Sequence, residues 1–361
     1  MGTKTRDWVI LHGAKGIGER KKRILVERCG GAAEALRLSA REVEAETRCA
    51  TDAAECFVAE REDPDRILRA LERCGAGAIP WDDPRYPPLL KEIYDPPILL
   101  FYKGERGLLD RPAVAMVGAR RALREAEAWT ESMAAVIARS GFLVASGFAR
   151  GVDGAAHRGA LDAGGGTAAV FGTGPDVVYP REHRRLAERI AAGGVILTER
   201  PPGSGPSRSV FPRRNRILAG ISVATVVIQA SERSGARITA RLALEAGREV
   251  FSLAAPPWDG RFAGNRILAR DGAPVVQDGE EVVLRLGGTP PSPEPEERAR
   301  RLEGARFLVA RALLDGPRDV DAIARASGLP SGEALGVLLT LELEGIVEER
   351  PGKVYAVKVR T

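Results

Sequence analysis

Three short runs combine Gly or Pro with Arg and small hydroxyl residues, a composition typical of phosphate-binding loops. They are residues 146–153, 211–217 and 234–240. Glycine lets the backbone approach an anion closely, arginine donates paired hydrogen bonds to phosphate oxygens, and free amides at a helix start add further donors. Residues 205–248 hold eight arginines and two acidic residues, a local net charge of +6. The sequence therefore predicts a polyanionic partner at these runs.

Motifs for other chemistry are incomplete. Asp153 and His157 stand four residues apart, as in a metal pair or an acid–base dyad, but the chain has only three histidines and no suitably spaced third ligand, so a structural hydrogen bond is favoured. The four cysteines form no CxxC pair, which favours small buried side chains over a zinc site. No GxGxxG run opens the first βα unit and no GxxxxGKS/T run occurs, which disfavours NAD and ATP. We expect no catalytic residues, no cofactor and no metal.

The whole-chain composition permits nucleic-acid binding without requiring it. The 361 residues have a net charge of +5 and are 44% hydrophobic, enough for two or three packed domains. No run approaches the roughly 18 apolar residues of a membrane helix, and the N-terminus lacks a secretory pattern. The cysteines suggest no disulfide bonds, which suits a reducing compartment. Together these features predict a cytoplasmic protein.

The spacing of apolar residues and prolines divides the chain into four regions. Residues 1–78 have helical periodicity with a Gly16-Ile17-Gly18 turn, which indicates a helix-hairpin-helix or SAM-like domain or, more simply, a tight turn between helices. Residues 79–287 form the core, and 288–303 a Pro-rich linker. Residues 304–361 suggest a winged helix. Because residues 331–344 contain no Lys or Arg, this domain is expected to contact protein or to be structural rather than to read DNA sequence.

Short apolar strands alternate with amphipathic helices in the core, the pattern of an α/β fold with a doubly wound, Rossmann-like, mostly parallel sheet. Strands are predicted at 113–117, 142–146, 167–171, 195–198, 224–229 and 249–253, and helices at 125–139, 154–163, 180–192, 214–220 and 238–246. Such sheets bind ligands beyond the carboxyl ends of their strands. The phosphate-binding runs are therefore expected to meet at one edge.

These motifs together resemble the DNA-processing protein A family (DprA, also called Smf), which is associated with natural transformation. The matching runs are residues 86–87 with 95–97, 117–120, 146–157, 172–180, 211–220, 234–240 and 272–273. The resemblance implies a protein that binds and protects incoming single-stranded DNA and loads the recombinase RecA onto it. It also implies a homodimer formed through the Rossmann-like core. The absence of a catalytic set of residues predicts that the protein is not an enzyme.

The resemblance carries the family's DNA contacts to matching positions of this chain, which are Arg120, Ser146, Gly147, Arg150, Arg214, Asn215 and Arg216. Arg213 occupies a variable position and is an extra candidate. Gly118, Arg121, Ser234 and Thr239 are further candidates on their own chemistry. The alternatives are ion pairs for the arginines and helix caps for Asn215 and Ser234.

Two departures from the family pattern affect the transfer of roles. Residues 121–126 replace a Ser and a Tyr-Gly pair that usually follow the first loop arginine, and Gln229 stands where relatives commonly have Glu. No role of that carboxylate can be carried over. Separately, Trp258 and Phe262 lie near a Gly-containing loop and could stack on bases. Core packing is the favoured interpretation for both.

Two other functions stay open at this point. The first is a nucleotide phosphoribohydrolase resembling the lysine-decarboxylase-like enzymes, which also place Arg beside Gly-rich loops on such a sheet. Its PGGxGT loop and downstream carboxylate do not occur here. The second is a transcriptional regulator acting through the winged helix, which the absence of basic residues at 331–344 disfavours.

Overall fold

The computed structural model describes residues 3–60, 63–207, 209–291, 302–314 and 316–358. They form two compact units, Met1–Pro290 and Pro291–Thr361. Most of the linker predicted at 288–303 falls outside the described residues, so the four domain boundaries stay predictions. None of the described helices is long and apolar enough to cross a membrane.

The first unit begins with helices, which are α1 (Thr3–Gly13), α2 (Glu19–Cys29), α3 (Ala32–Ala35), α4 (Ala40–Thr47), α5 (Thr51–Ala59) and α6 (Pro64–Cys74). They pack around Trp8, Leu25 and Phe57, in a cluster that also includes Phe101 of the sheet. At the turn between α1 and α2, Gly16 has a φ of +88° and a Cβ there would lie 2.1 Å from the Ala53 carbonyl oxygen. Only glycine fits this turn.

A nine-stranded sheet forms the centre of the first unit. Its strands are β1 (Ala76–Pro80), β2 (Leu99–Gly104), β3 (Ala113–Val117), β4 (Leu143–Ser146), β5 (Thr167–Val170), β6 (Val195–Thr198), β7 (Ser222–Val227), β8 (Glu249–Leu253) and β9 (Val275–Val276). The order is β1-β2-β6-β5-β4-β3-β7-β8-β9. Only the pairs that involve β2 are antiparallel. The segment β5-β4-β3-β7-β8-β9 has the Rossmann order, which confirms the predicted fold class.

Helices cover both faces of this sheet. They are α7 (Pro88–Lys91), α8 (Arg124–Arg139), α9 (Val152–Asp162), α10 (Arg184–Gly193), α11 (Val210–Gly220), α12 (Gly235–Glu245), α13 (Ala263–Arg270) and α14 (Gly279–Arg285), with 3-10 turns at Arg106–Asp110, Arg181–His183 and Gly260–Phe262. Leu218 of α11 and Ala240 of α12 are buried on one face. Met133 of α8 and Val152 of α9 are buried on the other.

The predicted strand boundaries agree with the structure to within two residues, but one helix start differs in a way that affects the site. The sequence predicted a helix from Arg214, preceded by a loop, whereas α11 begins at Val210. Pro212 therefore lies in the first turn of the helix, where the missing N–H has no intrahelical partner to lose. Arg213 to Arg216 thus stand on a helix rather than in a basic loop.

The second unit contains α15 (Gly304–Leu313), α16 (Val320–Ser327) and α17 (Ser331–Leu343), with strands β10 (Arg318–Asp319), β11 (Val347–Arg350) and β12 (Val354–Val357) in the order β10-β12-β11. This is the winged helix that the sequence predicted, with β10 as an additional strand. The outer side of α17 exposes Leu335, Leu339 and Leu343. An apolar outer helix face differs from the basic surface of a DNA-reading helix.

Candidate nucleic-acid interface

A cleft of about 550 Å³ opens at the carboxyl edge of the sheet, beside the parallel pair β3 and β7. The chain order of the strands reverses here, and open α/β sheets bind ligands at such points. The cleft is lined by residues that follow β3 and β4 and by the first turns of α11 and α12, including Gly118, Arg120, Gly147, Asp153, Phe211, Arg214, Asn215, Ser234 and Thr239. The structure therefore brings the three basic runs together.

Arg214 is a buried cation in the wall of this cleft. Its residue is 5% exposed, and Nη1 donates a hydrogen bond of 2.7 Å to the Val170 carbonyl. Burial lowers the pKa of Arg214 to about 10, although the nearby Asp153 carboxylate acts in the opposite direction. At neutral pH the guanidinium is still charged, and among the described residues its Nε has no hydrogen-bond partner. A bound anion would therefore stabilise it.

Asp153 is the buried carboxylate beside this cation. One of its oxygens accepts a hydrogen bond of 3.1 Å from the Ala149 amide. Burial raises the pKa of Asp153, while Arg214 and the amide of Ala149 lower it. Burial is the largest cause of the shifts of both Asp153 and Arg214. The attraction between these two neighbouring charges therefore compensates only in part for removing both from water.

The loop between β4 and α9 depends on close backbone approaches. A Cβ on Gly147 would lie 2.1 Å from Arg214 Nη1, and a Cβ on Gly118 would lie 2.5 Å from Val152 Cγ2. Phe148 has a positive φ of 62°, and its buried ring lies 4.5 Å from that of Phe171. The loop is therefore held in one conformation by its packing, which fixes the position of the Arg214 guanidinium.

Exposed arginines stand around the mouth of the cleft. Arg120 and Arg121, which follow β3, are exposed, as is Arg213 on α11. The Arg120 guanidinium carbon lies 5.4 Å from the centre of the Phe211 ring. Tyr179 packs against the same ring, with the ring centres of Tyr179 and Phe211 5.8 Å apart. No ion pair involves these three arginines within the part of the chain that the structure describes. Their charge is available to an anion.

A second, smaller cleft of about 250 Å³ adjoins the first and shares Arg120, Gly147, Tyr179, Phe211 and Arg214 with it. Its lining adds Arg121 and Arg150. The side chain of Arg150 is exposed and pairs with Glu182. The two clefts together form a continuous basic surface with aromatic rings at its centre, and a flexible polyanion would fit such a surface.

Two residues predicted as contacts have other partners. The Ser146 hydroxyl is buried and donates a hydrogen bond of 2.7 Å to the Met116 carbonyl, which joins β4 to β3. Arg216 forms an ion pair with Glu199 and lies 3.6 Å from Asp95, with 11% of its side chain exposed. The geometry favours the ion-pair alternative for Arg216. Asn215 lines the cleft, its side chain has no hydrogen bond to any of the described residues, and it stays a candidate contact.

The start of α12 closes one side of the cleft. The Ser234 hydroxyl oxygen accepts a hydrogen bond of 3.2 Å from the Ala236 amide, so Ser234 caps the helix, as one of the two interpretations expected. Thr239 lies one turn further along, buried against the cleft. The positive end of this helix therefore faces the same space as Arg120 and Arg214.

The Asp153–His157 dyad does not form. The His157 ring nitrogen Nδ1 lies 2.7 Å from the Thr167 hydroxyl, whose own proton is donated to the Val144 carbonyl, so Nδ1 is the protonated nitrogen. Burial lowers the pKa of His157 to about 3. No cluster of His, Cys, Asp and Glu among the described residues could hold a metal ion. The structural alternative is the observed one.

Sequence reasoning missed the role of Gln229 and misplaced Trp258. Gln229 is buried, and its Oε1 accepts a hydrogen bond of 2.9 Å from the Leu123 amide, which fixes the loop after β3. An amide oxygen accepts this bond as well as a carboxylate would. Phe262 packs in the core as expected, but the same expectation is wrong for Trp258, which is 85% exposed. The ring lies in the loop after β8 and does not pack into the hydrophobic core.

Known protein families and structures are similar to this chain in sequence and in fold. A family model described as DNA recombination-mediator protein A matches residues 77–287. The chain belongs to the DNA recombination-mediator protein A family. A second model, the DprA winged helix domain, matches residues 289–353 and agrees with the fold of the second unit. The family and fold expected from the sequence are thereby confirmed, and a role in DNA processing follows from them.

Relatives of this family are similar over most of the chain. Protein Smf of Synechocystis sp. is 36% identical over 333 residues, covering 81% of this chain and 83% of the relative. DNA processing protein DprA of Streptococcus pneumoniae is 42% identical over 207 residues, covering 57% of this chain and 71% of the relative.

Solved structures of the family share the fold. DprA from S. pneumoniae superposes with a TM-score of 0.68 at 32% identity, covering 77% of this chain and 95% of that structure. DprA from Helicobacter pylori, described for its single-stranded DNA binding mode, has a TM-score of 0.54 at 27% identity, covering 58% of this chain and 95% of that structure.

Proposed function

We propose that this chain binds single-stranded DNA in the two adjoining clefts at the carboxyl edge of its sheet. The observation that carries the proposal is the buried Arg214 beneath a rim of exposed arginines, Arg120, Arg121 and Arg213, which have no carboxylate partner among the described residues. The H. pylori relative is described for binding single strands. Stacking on Phe211 and Tyr179 would suit bases that are not paired, because every base has a π-face that a single strand leaves accessible.

The chemistry of the clefts supports binding rather than catalysis. A hydrolase acting on nucleotides needs an accessible acid or base, and the carboxylate that lines the cleft, Asp153, is buried beside Arg214. Gln229, at the position where an acid could act, uses its oxygen to hold the loop after β3. The described residues that face the clefts are therefore better suited to binding and orienting an anion than to transferring a proton.

Strand protection, delivery to RecA and dimerisation, which the family resemblance implies, are part of the same proposal. We infer that the bound strand is protected and passed to RecA, as a recombination mediator would do. A homodimer through the core is supported by Ile238 and Leu244 on α12, which are exposed apolar side chains beside a cleft of about 690 Å³. A second copy is a suitable cover for such a surface.

Fluorescence anisotropy with a labelled oligothymidylate and a matched duplex tests the binding. We expect preference for the single strand and an affinity that falls with salt, with a slope of about −0.7 per phosphate contacted. Arg120→Ala with Arg121→Ala should weaken binding about tenfold or more and make the slope shallower. Arg270→Ala is the matched control, because Arg270 is exposed at the end of α13 and lies beside Asp271. Equal binding by the double variant and the control would refute the proposal.

A further inference from the structure

Trp258 presents a large aromatic ring to solvent in the loop after β8. It is 85% exposed, more than any other large hydrophobic residue described in the first unit. Of the four tryptophans in the chain, Trp8 is buried and Trp81 is partly buried. An exposed indole costs solvation free energy, which a ligand that covers it would recover.

The loop that carries Trp258 is held in place by the residues around it. Arg266 Nη1 donates hydrogen bonds of 3.2 Å to the Pro256 carbonyl and 2.8 Å to the Asp259 carbonyl. The Asp259 carboxylate caps the next turn by accepting a bond of 2.8 Å from the Arg261 amide. Pro256 and Pro257 restrict the backbone just before the ring. Trp258 is therefore displayed on an ordered turn, which lowers the entropy cost of a contact.

The position of this loop is at the same sheet edge as the proposed DNA site. Strand β8 lies beside β7, and β7 lies beside β3, so β3 and β8 are about 10 Å apart at the usual strand spacing. The Gly264 amide donates a bond of 2.8 Å to the Ala230 carbonyl at the end of β7. The pKa of Arg261 is raised mainly by its hydrogen bond to the Asp259 carboxylate, and the Glu125 carboxylate, at the start of α8, adds a smaller contribution. The loop thus adjoins the segment that carries Arg120 and Arg121.

We propose that Trp258 stacks on a base of the bound single strand and extends the binding path from the clefts toward β8. This inference rests on the proposed function. The strands β3 and β8, which lead into these two segments, are about 10 Å apart, a distance that a few nucleotides span, so one strand can contact the rim arginines and Trp258 together. The path carries the positive charge of Arg120, Arg121 and Arg124, whose side chains are exposed. A flanking cationic rim is what a nucleic acid requires and what an apolar protein partner does not.

The ring reports its own contact through tryptophan fluorescence. We expect oligothymidylate to quench the emission of the wild-type protein, and Trp258→Phe to remove most of that quenching while keeping most of the affinity. Trp258→Ala should weaken binding about 5- to 150-fold, the range expected for loss of one base stack. Trp129→Phe and Trp129→Ala are the matched controls, because Trp129 is partly exposed on α8.

Two further measurements separate stacking from other causes. The salt slope of Trp258→Ala should equal that of the wild type, because no phosphate contact is lost, and its defect should disappear on an abasic strand. The role of Trp258 would be overturned if Trp258→Ala bound the strand as tightly as the wild type, or if the strand quenched Trp258→Phe as strongly as the wild type. Either result would leave the proposed function intact. Absence of wild-type binding to any single strand would instead refute the proposed function.

Discussion

Gly147 and Arg214 are in direct contact, and the missing side chain of the glycine makes room for the guanidinium of the arginine. A Cβ on Gly147 would lie 2.1 Å from Nη1 and 2.6 Å from Nη2 of Arg214, and 2.6 Å from an oxygen of Asp153. Gly147 therefore leaves space for the Arg214 guanidinium, in addition to letting the backbone approach an anion. It allows a charged pair to lie directly under the surface where we propose that DNA binds.

Gly147→Ala should displace Arg214 and weaken both folding and binding. Overpacking of this kind costs about 1–3 kcal/mol of stability, and the moved guanidinium should reduce affinity for a single strand about tenfold or more. Urea unfolding and anisotropy measure the two effects. Gly205→Ala is the control, because a Cβ on Gly205 meets nothing within 4 Å. Wild-type affinity in Gly147→Ala would show that the position of Arg214 does not matter for binding.

Arg216 should contribute to folding rather than to DNA binding. Its ion pair with Glu199 is largely buried, and the Glu199 carbonyl also lies 3.0 Å from His12 Nε2 of α1. Arg216→Ala leaves Glu199 without its cation and should cost about 3–5 kcal/mol. Adding Glu199→Gln should restore part of that loss, which a double-mutant cycle in urea detects. A changed salt slope of DNA binding in folded Arg216→Ala would instead support the family contact.

Stability should fall in mild acid because the histidines are buried in their neutral form. Burial lowers the pKa of His12, His157 and His183, that of His157 to about 3. The unfolded chain binds these protons near pH 6.5 and the folded chain does not, so the stability present above pH 6.5 is lost as the pH falls toward the folded values. His157 alone should cost about 2 kcal/mol at pH 5.

His157→Gln isolates this contribution. Urea unfolding between pH 6.5 and 5 should show a shallower loss of stability in the variant than in the wild type. Asp153 acts in the opposite direction because its pKa is raised, so the difference between the two slopes is the informative quantity. His183→Gln should change the slope less, since His183 is less buried than His157. Identical slopes in His157→Gln and the wild type would show that His157 is protonated in the fold.

The strands β3 to β8 were predictable because each is a short apolar run that the sheet buries on both faces, whereas β1 and β9 were not predicted. The start of α11 was not, because Pro212 normally ends a helix and is tolerated here only in the first turn. Sequence spacing also gave no sign that Arg214 is buried. Its partner Asp153 lies on α9, far away in the chain, and only the order of the strands brings the two side chains together.

For the same reason, the sequence does not distinguish exposed arginines from arginines that form ion pairs. Arg120 comes shortly after an apolar strand and Arg216 directly precedes an apolar run. Arg216 nevertheless pairs with Glu199, which follows β6, while Arg120 lies against an aromatic ring. Trp258 was placed in the core because large aromatic residues are usually buried. The exposure of the Trp258 ring depends on the path that Pro256, Pro257 and Arg266 impose on the loop, which is a tertiary property.

Removal of the second unit should leave single-strand binding largely intact. The proposed contacts all lie within Met1–Pro290, which is compact by itself, and α17 carries no Lys or Arg. A chain ending at Pro290 should bind oligothymidylate within about threefold of the full-length affinity and with the same salt slope, since no phosphate contact is lost. Anisotropy across several salt concentrations measures both quantities. A loss of tenfold or more with a shallower slope would place part of the DNA site on the winged helix, despite the apolar outer face of α17.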